Sequence, residues 1–311
     1  EGAEDSDTKV LGIFDDRGPD RVEIIPGYPV LGSFEDLIEF SRIYNVDLLI
    51  VALPISAENR LLELLRMLWV LPVDIRLGGH MTLLRFTPRS YSYIGAVPFL
   101  DIFDKPLSDG SVALKWVFDK IVGSAMLVAL SPVLLITAIL VKLTSRGPIL
   151  FKQHRYGFNN QLIEVYKFRS MRAEAVDPDA TKLVTKDDPR VTAFGRIIRK
   201  TSLDELPQLF NVVFKGDLSL VGPRPHATAA KASARLYQDV VDGYFARHKV
   251  KPGITGWAQI SGWRGETDTS LKIQKRVEHD LYYIDNWSIW FDMYILTMTP
   301  IALLSHSENA Y

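Results

Sequence analysis

Residues 121–141 read "IVGSAMLVALSPVLLITAILV" and carry no formal charge. As a straight helix the stretch would reach about 32 Å, against roughly 30 Å for the hydrocarbon core of a bilayer. Two features oppose a simple span. Ser131-Pro132 falls in the middle, where a proline removes one helix hydrogen bond and clashes with an earlier carbonyl. Ser131 is suitably placed to satisfy the backbone group so freed. Cations also flank both ends, Lys115 and Lys120 before, Lys142 and Arg146 after, and the positive-inside rule draws each end to the cytoplasmic face. One continuous span cannot satisfy both pulls. A helix, break and second helix over 117–143, entering one leaflet and returning, can. A buried core helix in a soluble domain is the other reading, but the length and the lack of a polar face count against it.

Upstream, the composition changes at "DKPLSDGS" (104–111), whose Pro106 and Gly110 mark a linker over 106–111. Residues 1–105 alternate strand and helix patterns. "TKVLGIFD" and "VDLLIVALP" have strand length, "SFEDLIEFSRIY" has helical spacing with Ser33 as N-cap, "SAENRLLELLRMLWVL" reads as a second helix and "VDIRLGG" as a further strand. Such alternation predicts a parallel, Rossmann-like sheet, partial at its start because no glycine-rich strand-to-helix turn is present. A structural or regulatory role suits this domain, since no cofactor fingerprint is visible. The first residue is Glu1, with no signal-like run after it, so the sequence is expected to be a fragment or a processed product.

Downstream lies "RKTSLDELPQLFNVVFKGDLSLVGPRP" (199–225), where Asp204 and Glu205 sit among cations. Acids in a first helical turn are ordinary, and Ser202 with Glu205 matches a capping box. Pro207 conflicts with that frame and favours a helix starting nearer Asp204. Alone, the pair reads equally as structural or chemical. "PGITGWAQISGWRGE" (252–266) holds four glycines with Trp257, Gln259, Trp263 and Arg264, suited to close backbone approach or base stacking, or simply to a turn beside the core.

The bulk numbers narrow the classes. The 311 residues suffice for two cores, and 47% apolar content excludes global disorder. A net charge of −1 argues against a nucleic-acid binder. With no cysteines, disulfides and thiolate metal sites are excluded, and the six histidines show no zinc-ligand spacing.

The succession "FDKIVGSAMLVALSPVLLITAILVKLTSRGPILFKQHRYG", "YKFRSMR", "TSLDELPQL", "LVGPRP", "KPGITGWAQISGWRGET" and "YYIDNWSIWFDMYIL" resembles the bacterial sugar transferases, monotopic phosphoglycosyl transferases, over residues 112 to about 300. The tryptophan-rich end is most similar to the undecaprenyl-phosphate glucose phosphotransferase branch. The resemblance implies an α/β protein: a nucleotide-binding-like domain at 1–105, preceded in larger members by four membrane helices, and a mostly helical, membrane-associated catalytic domain at 112–311 with a re-entrant helix broken at Ser131 and Pro132. It implies transfer of a hexose-1-phosphate from a UDP-sugar to undecaprenyl phosphate, releasing UMP through a phosphosugar–aspartate intermediate. This would occur on the cytoplasmic face of the bacterial inner membrane, at the start of exopolysaccharide assembly.

On that basis Asp204 is the expected nucleophile, its anionic form favoured by the helix end and nearby arginines, and Glu205, with Asp204, the ligand of a magnesium ion. Arg224 between Pro223 and Pro225 is the first candidate for the diphosphate, since a guanidinium fork suits phosphate oxygens. Arg199 follows, then Lys167 and Arg169, with Gln259 and Arg264 near the nucleotide sugar. Asp285 and Asp292 support the site or lie on a helix surface. "NWSIWFDMYILTMTPIALL" is expected against the headgroups, or in the core. The α/β domain offers surface for a homodimer, which nothing in the spacing requires. A membrane-anchored nucleotide-sensing scaffold is the alternative function.

Overall fold

The structure, a computed structural model, describes residues 9–16, 25–44, 46–53, 58–69, 71–78, 91–94, 97–103, 105–171, 188–226, 231–232, 235–236, 244–265 and 269–305. The chain divides into two compact units, Glu1–Lys105 and Pro106–Tyr311.

In the first unit, β1 (Ile13–Phe14) and β2 (Val30–Gly32) form a parallel pair. Helix α1 (Phe34–Ile43) starts at Ser33, whose hydroxyl accepts from Asp36 N while Asp36 accepts from Ser33 N, a closed capping box. β3 (Leu48–Val51), α2 (Glu58–Leu68) and β4 (Asp74–Gly78) make a parallel crossover, with Leu48 opposite Asp74 and Val51 opposite Leu77. Leu61, Leu64 and Leu68 of α2 share one face and bury in one cluster with Ile75 and Leu77 of β4 and with Val73 just before it.

The rest of the sheet departs from the parallel expectation. β5 (Tyr91–Ile94) and β6 (Val97–Phe103) complete the order β3-β4-β6-β5, and β6 runs antiparallel to both its neighbours. Only two residues join β5 to β6, too few for the crossover that parallel neighbours need. The sheet is therefore mixed.

The second unit opens with α3 (Asp109–Thr144), capped by Ser108, so the expected linker is already helical by residue 109. A hairpin of β7 (Leu150–Tyr156) and β8 (Leu162–Phe168) follows, turned by Asn159 and Asn160 at φ 51° and 56°. Asparagine tolerates that left-handed region better than most residues. Helix α4 (Ala193–Lys200) precedes α5 (Gln208–Phe210), which runs into a π-helical turn at Asn211–Lys215. β9 (Ser219–Val221) will pair in parallel with a later strand, and β10 (Lys231–Ala232) pairs antiparallel with β11 (Arg235–Leu236). A 3-10 turn (Tyr244–Lys249) leads to β12 (Gly253–Thr255), the partner of β9, then to α6 (Trp257–Ile260), α7 (Ser270–Asp285) and α8 (Ile289–Ser305). The unit is thus mixed α/β, with a hairpin of two seven-residue strands that the expectation of a mostly helical domain does not include. Its core gathers Val165, Leu209, Leu218, Leu220, Tyr283 and Ile295, against which Val122, Met126 and Leu130 of α3 pack.

Among the described residues α3 is the one helix long and apolar enough to cross a membrane, and only 17% of its most apolar window is buried. Val128, Leu135 and Leu143 are 75%, 63% and 76% exposed, which rules out the core-helix reading. The backbone stays helical through Pro132, so the expected break into two helices does not form. That proline has no N–H for the carbonyl of Val128 four residues earlier, and Ser131 Oγ donates to that carbonyl at 2.7 Å instead.

Both ends of α3 are bonded to this unit. Lys115 Nζ lies 2.6 Å from Asp292 and donates to Val221 O at 3.0 Å, and Lys120 donates to Val212 O at 2.8 Å. At the other end Arg169 donates to the carbonyl and hydroxyl of Ser145, each at 2.8 Å. Lys115 and Lys120, which flank the apolar stretch as expected, are thus bonded within the fold.

Candidate functional site

The acidic pair sits on a strained turn. Ser202 adopts φ 58° and ψ 16°, and Leu203–Glu205 form one 3-10 turn before Pro207 starts α5 as its N-cap. A left-handed non-glycine residue costs roughly 1–3 kcal/mol and persists only where its surroundings enforce it. The expected capping box does not form, because both its side chains are engaged elsewhere: the Ser202 hydroxyl accepts from Arg264, and the Glu205 carboxylate faces Lys167 and Arg224.

Glu205 is held from two sides. Lys167 Nζ lies 2.9 Å from Oε1, while Arg224 reaches Oε1 with Nη2 at 2.7 Å and Oε2 with Nη1 at 3.3 Å. Burial alone would raise its pKa, but Arg224 and Lys167 hold it well below the usual carboxylate range. Asp204 behaves oppositely. It is 8% exposed, and burial together with the Glu205 charge pushes it up to about 6, against the pull of Lys167, Arg199 and Arg224. The nearby arginines favour the anionic form as expected, but burial and Glu205 outweigh them. At pH 7 a group at that value is still about nine-tenths ionised.

Packing explains why the cations converge. Lys167 is on β8, and the buried Asn211 fastens the edge of that strand by accepting from Tyr166 N at 2.9 Å and donating to Glu164 O at 2.7 Å. Arg224 follows β9, whose pairing with β12 brings Gly222 against Gly253 so closely that a Cβ on Gly253 would lie 2.1 Å from Gly222 N. Pro223 and Pro225 have no N–H, so the segment is tied through carbonyls. Pro223 O accepts from Gly253 N at 3.0 Å and Pro225 O from Arg155 at 3.5 Å.

The remaining candidates separate. Arg199, in the last turn of α4, acts on Asp204 through charge. Arg264 reaches the turn through Ser202. Gln259 donates to Ile254 O at 3.4 Å. Arg169 binds Ser145 at the end of α3 and does not join the pair. Trp257 packs among Tyr282, Phe291 and Tyr294, in an aromatic cluster of the unit itself. Asp292 is fully buried against Lys115, Tyr283 and Trp287, fastening α8 to α3, whereas Asp285 is exposed.

Residues 110–306 match the family described as bacterial sugar transferase. The chain belongs to that family. Residues 2–78 separately match a CoA-binding domain family. Over 293 residues the chain is 41% identical to the UDP-glucose:undecaprenyl-phosphate glucose-1-phosphate transferase of Klebsiella pneumoniae, covering 94% of this chain and 61% of that one. It is 40% identical over 312 residues to the undecaprenyl-phosphate glucose phosphotransferase of Komagataeibacter xylinus, covering 97% and 55%. Exopolysaccharide production protein PSS of Rhizobium leguminosarum bv. phaseoli is 46% identical over 198 residues, 64% of this chain and 98% of that one. The chain thus spans well under two thirds of the two longer relatives.

The acidic pair offers two carboxylates to a divalent cation shared with a ligand, Glu205 in exchange for part of its bonding to Lys167 and Arg224. Among the described residues no three His, Asp or Glu side chains cluster to hold an ion alone. Magnesium commonly takes one or two carboxylates plus phosphate oxygens and water, and Asp204 with Glu205 is such a donor set. Sequence reading missed the residues beneath the site: Arg155, His226, Arg247, Arg276 and Asp280. A histidine or arginine in a strand or helix gives no sign of being buried until the fold places it.

Proposed function

We propose that the chain transfers a hexose-1-phosphate, glucose-1-phosphate in the first instance, from a UDP-sugar to undecaprenyl phosphate. The observation that carries this reading is Asp204: a buried carboxylate, largely ionised at neutral pH, beside a second carboxylate pinned by two cations. The names of the Klebsiella and Komagataeibacter relatives supply the substrates.

In the first step an Asp204 oxygen attacks the phosphorus that bears the sugar. The P–O bond to the α-phosphate breaks and UMP leaves, with the sugar phosphate held on the carboxylate. In the second step a phosphate oxygen of undecaprenyl phosphate attacks the same phosphorus, restoring the Asp204 carboxylate. Both steps bring anions together. Lys167, Arg199 and Arg224 supply positive charge around the reacting centre, and the short turn keeps Asp204 from swinging away. A magnesium ion held by Glu205 and Asp204 would neutralise diphosphate charge.

The lipid substrate requires a membrane face, and α3 offers one. Its exposed apolar side suits acyl chains, while both its ends are bonded within the same folded unit, through which a bilayer cannot pass. This supports a helix that dips into the cytoplasmic leaflet of the inner membrane and returns by a bend at Ser131-Pro132, without a break in the helix.

The test is product formation by the purified chain with UDP-glucose, undecaprenyl phosphate and magnesium, measured as UMP and lipid-linked sugar. Asp204→Asn abolishes both, and mass spectrometry of the wild type without lipid finds the sugar phosphate on Asp204. Turnover by Asp204→Asn removes the covalent route.

A further inference from the structure

Behind the site lies a buried cluster that touches no substrate in the reaction above. Arg247 is fully buried, ion-paired with Asp280 at 2.6 Å, and its Nη2 donates to Arg224 O at 2.5 Å. Its Nη1 lies 3.2 Å from His226 Nε2. Arg276 comes within 3.4 Å of the same nitrogen, and its Nη2 donates to Trp263 O at 2.6 Å and Gly265 O at 3.1 Å. Those two carbonyls flank Arg264, whose guanidinium bonds Ser202, two residues before Asp204.

Arg224 and Arg264 therefore each have a second, buried arginine bonded to their own stretch of main chain, and the two buried ones meet at His226. We infer that Arg247 and Arg276, joined at His226 and balanced by Asp280, are positioning residues that fix Arg224 against Glu205 and Arg264 against Ser202.

The chemistry favours this over plain packing. Arg247 pairs with the one buried carboxylate, Asp280, while Arg276 acts on it through charge, and burying charge costs several kcal/mol per ion unless its bonds are well made. Apolar side chains would fill the same space more cheaply, but they cannot donate to carbonyls. Between Pro223 and Pro225 carbonyls are the main-chain handles available apart from the single N–H of Arg224. A guanidinium can hold one while also pairing with Asp280, because its donors fan out in a rigid plane. Burial and the surrounding arginines keep His226 neutral, so its ring provides an acceptor where a charged ring would repel both neighbours.

The inference rests on the proposed transfer reaction, and its test is a double-mutant cycle between Arg247→Lys and Arg224→Lys. Turnover of the unaltered chain reports on the reaction itself, and the cycle reports on positioning. Arg247→Lys is expected to lower kcat/KM for UDP-glucose by about 10- to 100-fold in the wild-type background, but by less than about threefold once Arg224 is lysine. Equal losses in both backgrounds, or no loss in either, overturn the inference. If the unaltered chain shows no turnover, the same cycle is read in the Kd for UDP-glucose by calorimetry, with the same expected coupling. If Arg247→Lys does not fold, His226→Gln replaces it in the cycle under the same criteria.

Discussion

Arg224 closes on Glu205 through both terminal nitrogens, 2.7 Å from Oε1 and 3.3 Å from Oε2. The consequence falls on the neighbouring residue. Burial already raises the pKa of Asp204, and a Glu205 fixed in its charged form adds repulsion, so Asp204 titrates late while Glu205 titrates early. Two adjacent carboxylates of similar intrinsic acidity are thereby set apart, which suits the proposed division into a nucleophile and a fixed charge.

Arg224→Lys tests that grip. A lysine keeps the charge but loses the two-pronged contact, and charge-assisted hydrogen bonds of this kind contribute about 1.5–3 kcal/mol. The expected loss in kcat/KM is roughly 10- to 100-fold, measured by UMP release. A loss below threefold would mean that charge alone suffices at this position.

The pH profile of the first half-reaction follows from Asp204. Its pKa is pushed up to about 6 by burial and by Glu205, and only the ionised form attacks. UMP release without lipid acceptor, at limiting magnesium, should be flat above pH 7 and fall about tenfold per unit below pH 6. Leaving out the lipid matters, because its own phosphate titrates in this range. A profile flat down to pH 5 would exclude a nucleophile of this acidity.

Asp204→Asn should separate stability from activity. A folded-state pKa raised from 3.8 to about 6 means that protonation favours the fold. The contribution is fully present below about pH 4 and lost as pH rises through 6. The asparagine variant, neutral throughout, should therefore be more stable than wild type at pH 8 by about 1–3 kcal/mol, a rise of a few degrees in Tm. The difference should shrink towards pH 4. Thermal melts in one detergent at both pH values decide it, and a variant less stable at pH 8 would contradict the sign.

How far the sequence carried depended on what each residue can signal locally. Ser33 and the leucine spacing of α2 announce their roles because caps and periodic faces are short-range features. The Asp204–Glu205–Arg224 grouping was legible through motif resemblance, and the structure brings those three together with Lys167. Arg169, two residues from Lys167, was grouped with it by proximity in sequence, yet the two side chains go to different partners, Ser145 and Glu205. The hairpin β7–β8 was passed over because "FKQHRYGFNNQLIEVYKF" mixes charge into both faces, so strict alternation is absent. Arg247 and Asp280, 33 residues apart in separate elements, form a pair that only tertiary packing defines.

Asn211 is expected to be a structural keystone of the site. Its amide stands in for a neighbouring strand, satisfying Tyr166 N and Glu164 O on the edge of β8. Asn211→Ala orphans both groups, each worth about 1–3 kcal/mol when buried without a partner. The variant should lose about 2–4 kcal/mol in denaturant titration. Activity should fall as well, because the strand that presents Lys167 to Glu205 is no longer fastened. An unchanged midpoint would show that water replaces the amide without cost.

The path of α3 can be read by labelling, since the chain has no cysteine of its own. Val112→Cys and Arg146→Cys place single thiols just inside the helix start and just beyond its end, both at exposed positions, and Val128→Cys places one on its most apolar exposed face. Lys115 is bonded to Val221 O, three residues before Arg224, while Ser145 is held by Arg169, two residues after Lys167, and both Arg224 and Lys167 contact Glu205. The two ends of α3 are thus tied by short paths to one carboxylate, which can lie on only one side of a bilayer. An impermeant maleimide should therefore modify residues 112 and 146 in inside-out vesicles and neither in right-side-out ones, with residue 128 protected in both. Modification of 112 and 146 from opposite sides would make α3 an ordinary span and leave its bonded ends unexplained.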